Sequence, residues 1–213
     1  MTLDDMYTEM ELYGFDDLED AQKLILLNEA YFDIVTREPW PFLEVLSTIV
    51  VPGGQSQITN NPLVTPNPTN VNSVLSFIDT TNSLVMTPER ADVIEKSYFL
   101  SVATGAPSTY YFVGDELMVY PESNGATYRL FYTKSPVAAT TTSDTFYIPS
   151  RHHSIIVYGA LVKAFLVNDD PQAAVFQNMF EARYQQMRND LWMNQYDRTE
   201  RVFVTTDSMD WSY

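Results

Sequence analysis

The sequence predicts an α+β protein: a four-helix body, an antiparallel β subdomain inserted into it, and an extended C-terminal arm. Three observations carry this expectation. Apolar residues recur with the helical period over residues 17–37 and again over 150–196. Between them the period shortens to runs of Val, Ile, Thr, Tyr and Phe broken by turn residues. The joins are marked by Pro-Trp-Pro-Phe-Leu-Glu at 39–44 and by a run from Phe146 to Phe165 that begins Phe-Tyr-Ile-Pro-Ser-Arg-His-His. The expected division is residues 1–38 and 149–197 for the body, 39–148 for the insertion and 198–213 for the arm.

At the N-terminus Thr2 is placed to cap a helix over residues 3–13, and Gly14 suits the left-handed residue that ends one. Asp16 and Glu19 have capping-box spacing ahead of a second helix over 17–37. That helix carries two apolar stripes. Leu18, Ala21, Ile25, Phe32 and Val35 form one; Leu24, Leu27, Tyr31 and Ile34 form the other. One stripe serves an ordinary surface helix, so two imply burial on two sides, the second against the insertion or a neighbouring subunit. Pro39 and Pro41 stop the helix for want of amide hydrogens, and Trp40 and Phe42 are expected to plug the seam between body and insertion, with Tyr147 and Pro149 at the exit.

Within the insertion, strands are expected over residues 44–51, 71–78, 109–113, 116–120 and 127–134. Gly114-Asp115 fits a two-residue hairpin turn, and a second turn at 121–125 would continue an antiparallel meander. Residues 89–97 are compatible with a short helix or an edge segment. Residues 53–70, rich in Pro, Asn and Gly, read as a mobile loop. Pro149-Ser150 opens a third helix to about residue 167, and Asp170-Pro171 opens a fourth, with Ala173, Phe176, Phe180, Met187 and Leu191 on one face. Beyond Arg198 the order dissolves, yet Phe203, Met209, Trp211 and Tyr213 make the tail too apolar for a solvated end; it reads as a docking arm.

Charge and composition limit function. The 213 residues hold 28 acids against 12 bases, a formal net charge of -16. Twelve acids and two bases fall within residues 1–44, so most of the field belongs to the first helices. Such a surface repels phosphate and disfavours ordinary nucleic-acid binding. No cysteine is present, which excludes disulfides, thiolate metal sites and a cysteine nucleophile. No stretch reaches the ~20 apolar residues of a membrane span, and Asp4, Asp5 and Glu9 oppose a signal peptide, so a soluble intracellular product is expected.

The catalytic inventory is thin. His152 and His153 are the two histidines, and neighbouring positions on a helix point ~100° apart, which argues for a structural or interface role over a shared metal. No phosphate loop, nucleophile elbow or HExxH helix occurs. No metal, cofactor or enzymatic activity is expected. An alternative class is a glycan-binding or glycan-cleaving protein using two carboxylates; Asp115 and Glu116 are candidates, although acids in a tight hairpin ordinarily serve the turn.

The order of helix, Pro-Trp-Pro-Phe-Leu-Glu, a β segment with Tyr110-Tyr-Phe and Tyr120-Pro, then Ile148-Pro and Tyr158-Gly-Ala-Leu-Val-Lys-Ala resembles the head-to-tail connector adaptors of tailed bacteriophages, some of which are called tail tubular protein A or tail accessory factor. The resemblance spans residues 3–192. It implies a homo-oligomeric ring, usually twelvefold, bound beneath the portal protein in the neck of the virion and assembled in the host cytoplasm. It also implies contact with a downstream tail or nozzle protein, and with tail fibres, and DNA as a passing cargo, with no membrane. On that reading Asp4, Asp5, Glu9, Glu11, Asp16, Asp17, Glu19 and Asp20 are channel-facing candidates, since phosphate repulsion keeps DNA sliding. Phe203, Met209, Trp211 and Tyr213 are portal-docking candidates. Other ring-forming neck proteins, a stopper or a tail terminator, are the neighbouring alternatives.

Overall fold

The computed structural model describes residues 1–100 and 104–204 and is of mixed α+β class, with five α-helices and mainly antiparallel strands. It divides into two compact units, residues 1–42 with 137–213, and residues 43–136.

The first unit holds four of the helices. Helix α1 (Leu3–Leu12) starts in a capping box in which the Thr2 hydroxyl accepts from the Asp5 amide and the Asp5 carboxylate accepts from the Thr2 amide. It buries Leu3, Met6, Tyr7 and Met10, one stripe of a helix, and Gly14 ends it at φ +92°. Helix α2 (Asp20–Val35) begins later than the capping pattern at Asp16 suggests. Its box is formed by Glu19 and Gln22, because the Gln22 side chain reaches back to the Glu19 amide.

Helix α4 (Ser154–Val167) buries every residue from Ile155 to Val162. A helix apolar on all sides must be surrounded, and α1, α2 and α5 (Gln172–Val204) all pack on it. Gly159 permits the closest approach: a methyl there would lie 2.9 Å from the Ala30 Cβ of α2 and 3.2 Å from the Phe180 ring of α5. Asp170 accepts from the Gln172 amide at 2.8 Å and so caps α5, which runs about 50 Å.

Residues 137–148 belong to this helical unit, whereas the sequence reading assigned them to the insertion. The reason is a side-chain clasp: Asn28 of α2 both donates to the Ala139 carbonyl (2.9 Å) and accepts from its amide (2.8 Å). Phe146 then packs on Tyr31, with ring centroids 4.7 Å apart.

In the second unit β1 (Glu44–Gly53), β8 (Glu122–Lys134) and β2 (Val71–Asp79) form an antiparallel sheet in the order β1-β8-β2, with the short β3 (Leu84–Val85) beside β2. A smaller sheet contains β4 (Thr87–Pro88), β6 (Thr109–Val113) and β7 (Glu116–Tyr120), the last two joined by the expected hairpin at Gly114-Asp115. The remaining short strand, β5 (Thr104–Gly105), and β4 make two-residue parallel pairings with β8 and β6. Residues 91–100 form helix α3 (Ala91–Leu100), which resolves the open assignment there.

Two expectations are corrected. The meander does not continue from β7 into β8, for Pro121 offers no amide to a ladder and β8 pairs instead with β1 and β2. Residues 53–70 are not a loose loop. Ile58 and Val64 are buried in the common core with Ile49, Phe77, Leu117 and Tyr128, the Thr59 hydroxyl accepts from the Leu117 amide (2.8 Å), and Asn61 donates to the Gln57 carbonyl (2.9 Å).

Candidate functional site

The helical unit carries features fit for contact with other molecules, and they begin with the unequal fate of the two stripes of α2. Leu27, Tyr31 and Ile34 are buried against the rest of the unit. Of the other stripe, Val35 is buried and Leu18 and Phe32 are half-buried, but Ala21 and Ile25 face outward, Ile25 with 58% of its surface exposed. Beside it the C-terminal end of α4 leaves Val167 82% exposed. Between them runs a groove of about 240 Å³ lined by Phe15, Leu18, Ile25, Leu26, Ala164 and Val167, with Gln22 and Asn168 at its edges. Phe15 in its lining packs edge-on to Phe165 (4.8 Å), which stacks on Phe176 (5.1 Å). Clustered aliphatic exposure of this kind marks a surface that a partner covers.

Of the eight acidic candidates four lie on α1, three between α1 and α2, and Asp20 opens α2. Seven are exposed; Glu9 is half-buried, and burial pushes its carboxyl up. Four have local structural tasks. Asp5 and Glu19 cap helices, while Glu11 and Asp20 flank the ammonium of Lys23 at 2.6 and 3.7 Å. Asp4, Glu9, Asp16 and Asp17 make no ion pair among the described residues.

Lys23 itself is only 2% exposed and was not singled out in the sequence. The available signal was its place four residues before Leu27 on the buried stripe, with a partner one helix earlier. The expected seam residues pack inside the helical unit. The Trp40 indole donates to the Ile34 carbonyl (2.9 Å), stacks on Phe42 and meets Tyr184 edge-on, both at 5.6 Å. Tyr147 lies beside the Tyr31 hydroxyl, which burial pushes far up, and Pro149 precedes the 3₁₀ turn at Ser150–His152.

The expected arm begins too early. Residues 198–204 continue α5, so the backbone at Phe203 is helical, while Met209, Trp211 and Tyr213 lie outside the described residues.

The histidine pair is split by its surroundings. His153 is buried, with Nε2 2.7 Å from the Ile148 carbonyl and Nδ1 2.9 Å from the Met1 carbonyl, and so ties the start of α4 to the N-terminus. His152 lines a polar cleft of about 150 Å³ with Arg151, Ser154, Arg183, Gln186 and Asp190. Arg151 Nε donates to His152 Nε2 at 3.0 Å. Burial, then the Arg151 charge, hold this imidazole below its ordinary range against the opposing pull of Asp190. Among the described residues no three His, Cys, Asp or Glu side chains are grouped to hold a metal ion, and no helix is long and apolar enough to cross a membrane. Asp115 and Glu116 stand at the turn of the β6–β7 hairpin.

Among curated proteins none matches the chain. A family profile does, that of the SU10 adaptor protein, over residues 1–206 of the 213. This match takes in the helical unit with its outward apolar groove and the inserted β unit together, and it makes the chain a member of the SU10 adaptor protein family, bacteriophage structural adaptors that belong to the virion and contact other capsid or tail proteins.

Proposed function

We propose that this adaptor is a head-to-tail connector that assembles through its helical unit into a ring beneath the portal, lines the path of the DNA and offers a platform for tail attachment. The observation that carries the reading is the outward apolar side of α2 together with the end of α4: Ile25 and Val167 stand exposed over a groove whose lining is aromatic and aliphatic. A water-exposed groove of that kind is satisfied when a neighbour covers it. The four helices of the first unit are read as the ring-forming body. Twelvefold symmetry, a place in the neck and assembly in the host cytoplasm come from the resemblance to connector adaptors.

The acids of α1 without ion-pair partners among the described residues, Asp4 and Glu9, support a channel rim that repels phosphate, so that DNA passes without sticking. Residues 205–213, with Met209, Trp211 and Tyr213, are read as the portal-docking segment. The role is structural rather than catalytic.

The test is electron microscopy of the purified protein, alone and mixed with its portal. Rings of twelve copies coaxial with the portal are expected. Substituting Ile25→Asp or Val167→Asp should abolish rings while leaving the circular dichroism melt unchanged, as both positions are exposed. Portal complexes of another copy number would overturn the twelvefold reading, and intact rings from both variants would remove the groove from the interface.

A further inference from the structure

The cleft at the start of α4 inverts the charge of the molecule. In a chain of net charge -16, Arg151 and Arg183 both line it, with Asp190, 3.7 Å from His152 Nε2, as the single acid in its lining. Arg151 bonds to a neutral nitrogen of His152, and Arg183 Nη1 donates to the Gln186 amide oxygen at 2.9 Å. Neither guanidinium has a carboxylate within 4.0 Å among the described residues. His152, 8% exposed, is part of the same lining and accepts from Arg151. Two guanidinium forks with spare donors form a receptor for a planar anion.

We propose that this cleft receives a carboxylate of an adjacent copy of the chain, supplied by Asp16 and Asp17. The proposal rests on the reading that the protein assembles with itself. Asp16 and Asp17 are exposed, lack a basic partner among the described residues, and sit between Phe15 and Leu18, which both line the apolar groove. Acid tip and apolar groove thus form one continuous edge. The cleft adjoins Ser154 and Ile155, and the groove adjoins Ala164 and Val167, so donor and receptor lie at opposite ends of α4, about 20 Å apart. Two complementary patches at separate places on one subunit make a heterologous contact, which closes into a ring or extends into a filament and does not stop at a two-fold dimer.

The test uses two charge-reversed full-length proteins, Arg151→Glu/Arg183→Glu and Asp16→Lys/Asp17→Lys, studied by sedimentation velocity. All four positions are exposed, so both proteins should melt like the wild type. Each alone is expected to need at least about tenfold more protein to assemble than the wild type, on the order of the coupling of close charge pairs across an interface. An equimolar mixture should restore assembly, because every interface of an alternating ring then pairs opposite charges. Wild-type assembly by the cleft variant overturns the proposal, as does a mixture that fails to recover. Binding of inorganic phosphate by the wild type, lost in the cleft variant while assembly persists, also overturns it by showing a different occupant. A wild type that forms no ring with or without its portal overturns the assembly reading and this contact with it.

Discussion

The ammonium of Lys23 on α2 lies 2.6 Å from the carboxylate of Glu11 on α1, and the Lys23 side chain is buried. The partners differ in environment: the lysine is 2% exposed and the glutamate 44%. Removing the glutamate therefore leaves a buried charge with Asp20, 3.7 Å away, as its nearest remaining acid. Glu11→Ala should cost about 1–3 kcal/mol, and Lys23→Met, which replaces the buried charge by an apolar chain of similar volume, should cost under about 1 kcal/mol. Urea midpoints of the two variants check the order; a Lys23→Met variant weaker than Glu11→Ala would sink the argument.

Trp40 closes the end of α2 by donating to the Ile34 carbonyl from a fully buried position. Trp40→Phe keeps the aromatic packing but strands that carbonyl and leaves a small void, for a loss of about 1–3 kcal/mol. Thermal melting measures the loss. The fluorescence difference between wild type and variant should have the blue emission of a tryptophan out of water.

Gly159 is where α4 meets α2 and α5 most closely. Alanine there gains about 1 kcal/mol of helix propensity but places its methyl 2.9 Å from that of Ala30, a main-chain-borne atom that moves only with its helix. Overpacking of about 1–3 kcal/mol outweighs the gain, so Gly159→Ala should lower the melting temperature. Adding Ala30→Gly should recover part of the loss, and strictly additive effects would show that the contact is not the cause.

His152 predicts a pH dependence with a definite sign. Burial and Arg151 hold its folded-state value below the ordinary 6.5, so the unfolded chain binds the extra proton more readily. Its contribution to stability is full above pH 6.5 and is lost as the pH falls from there through the folded value. Between about pH 7.5 and about pH 5 the wild type should lose more stability than His152→Gln, as read from denaturation midpoints at each pH. Parallel curves would reject the assignment.

Much of the fold was legible because its signals are local. Thr2 and Gly14 at the ends of α1, the Gly114-Asp115 hairpin and the Asp170 cap of α5 each act within a few residues, and strands β6 and β7 have the bounds their composition suggests. The two stripes of α2 were also readable, although burial of the second against the insertion or a neighbouring subunit was left open, and within the helical unit it buries Val35 but leaves Ala21 and Ile25 exposed. What misled was pairing between distant residues. The β1-β8-β2 order joins residue 44 to 133 and residue 71 to 134, the polar segment 53–70 is held by Thr59 and Asn61 on a core built from other strands, and the Asn28 clasp captures Ala139 from 111 residues away.

The sequence by itself determined most of the element types, the join near residue 40, the acidic bias of the first helices and the exclusion of cysteine chemistry, since each depends on composition or on neighbours along one helix or hairpin. Only the tertiary structure decided that Ala21 and Ile25 of one α2 stripe stay exposed, that Lys23 is buried beside Glu11, and that Arg151 and Arg183, 32 positions apart, share a cleft with His152. Those outcomes follow from how α1, α2 and α5 close around α4, and burial and charge pairing are properties of that closure rather than of any segment alone.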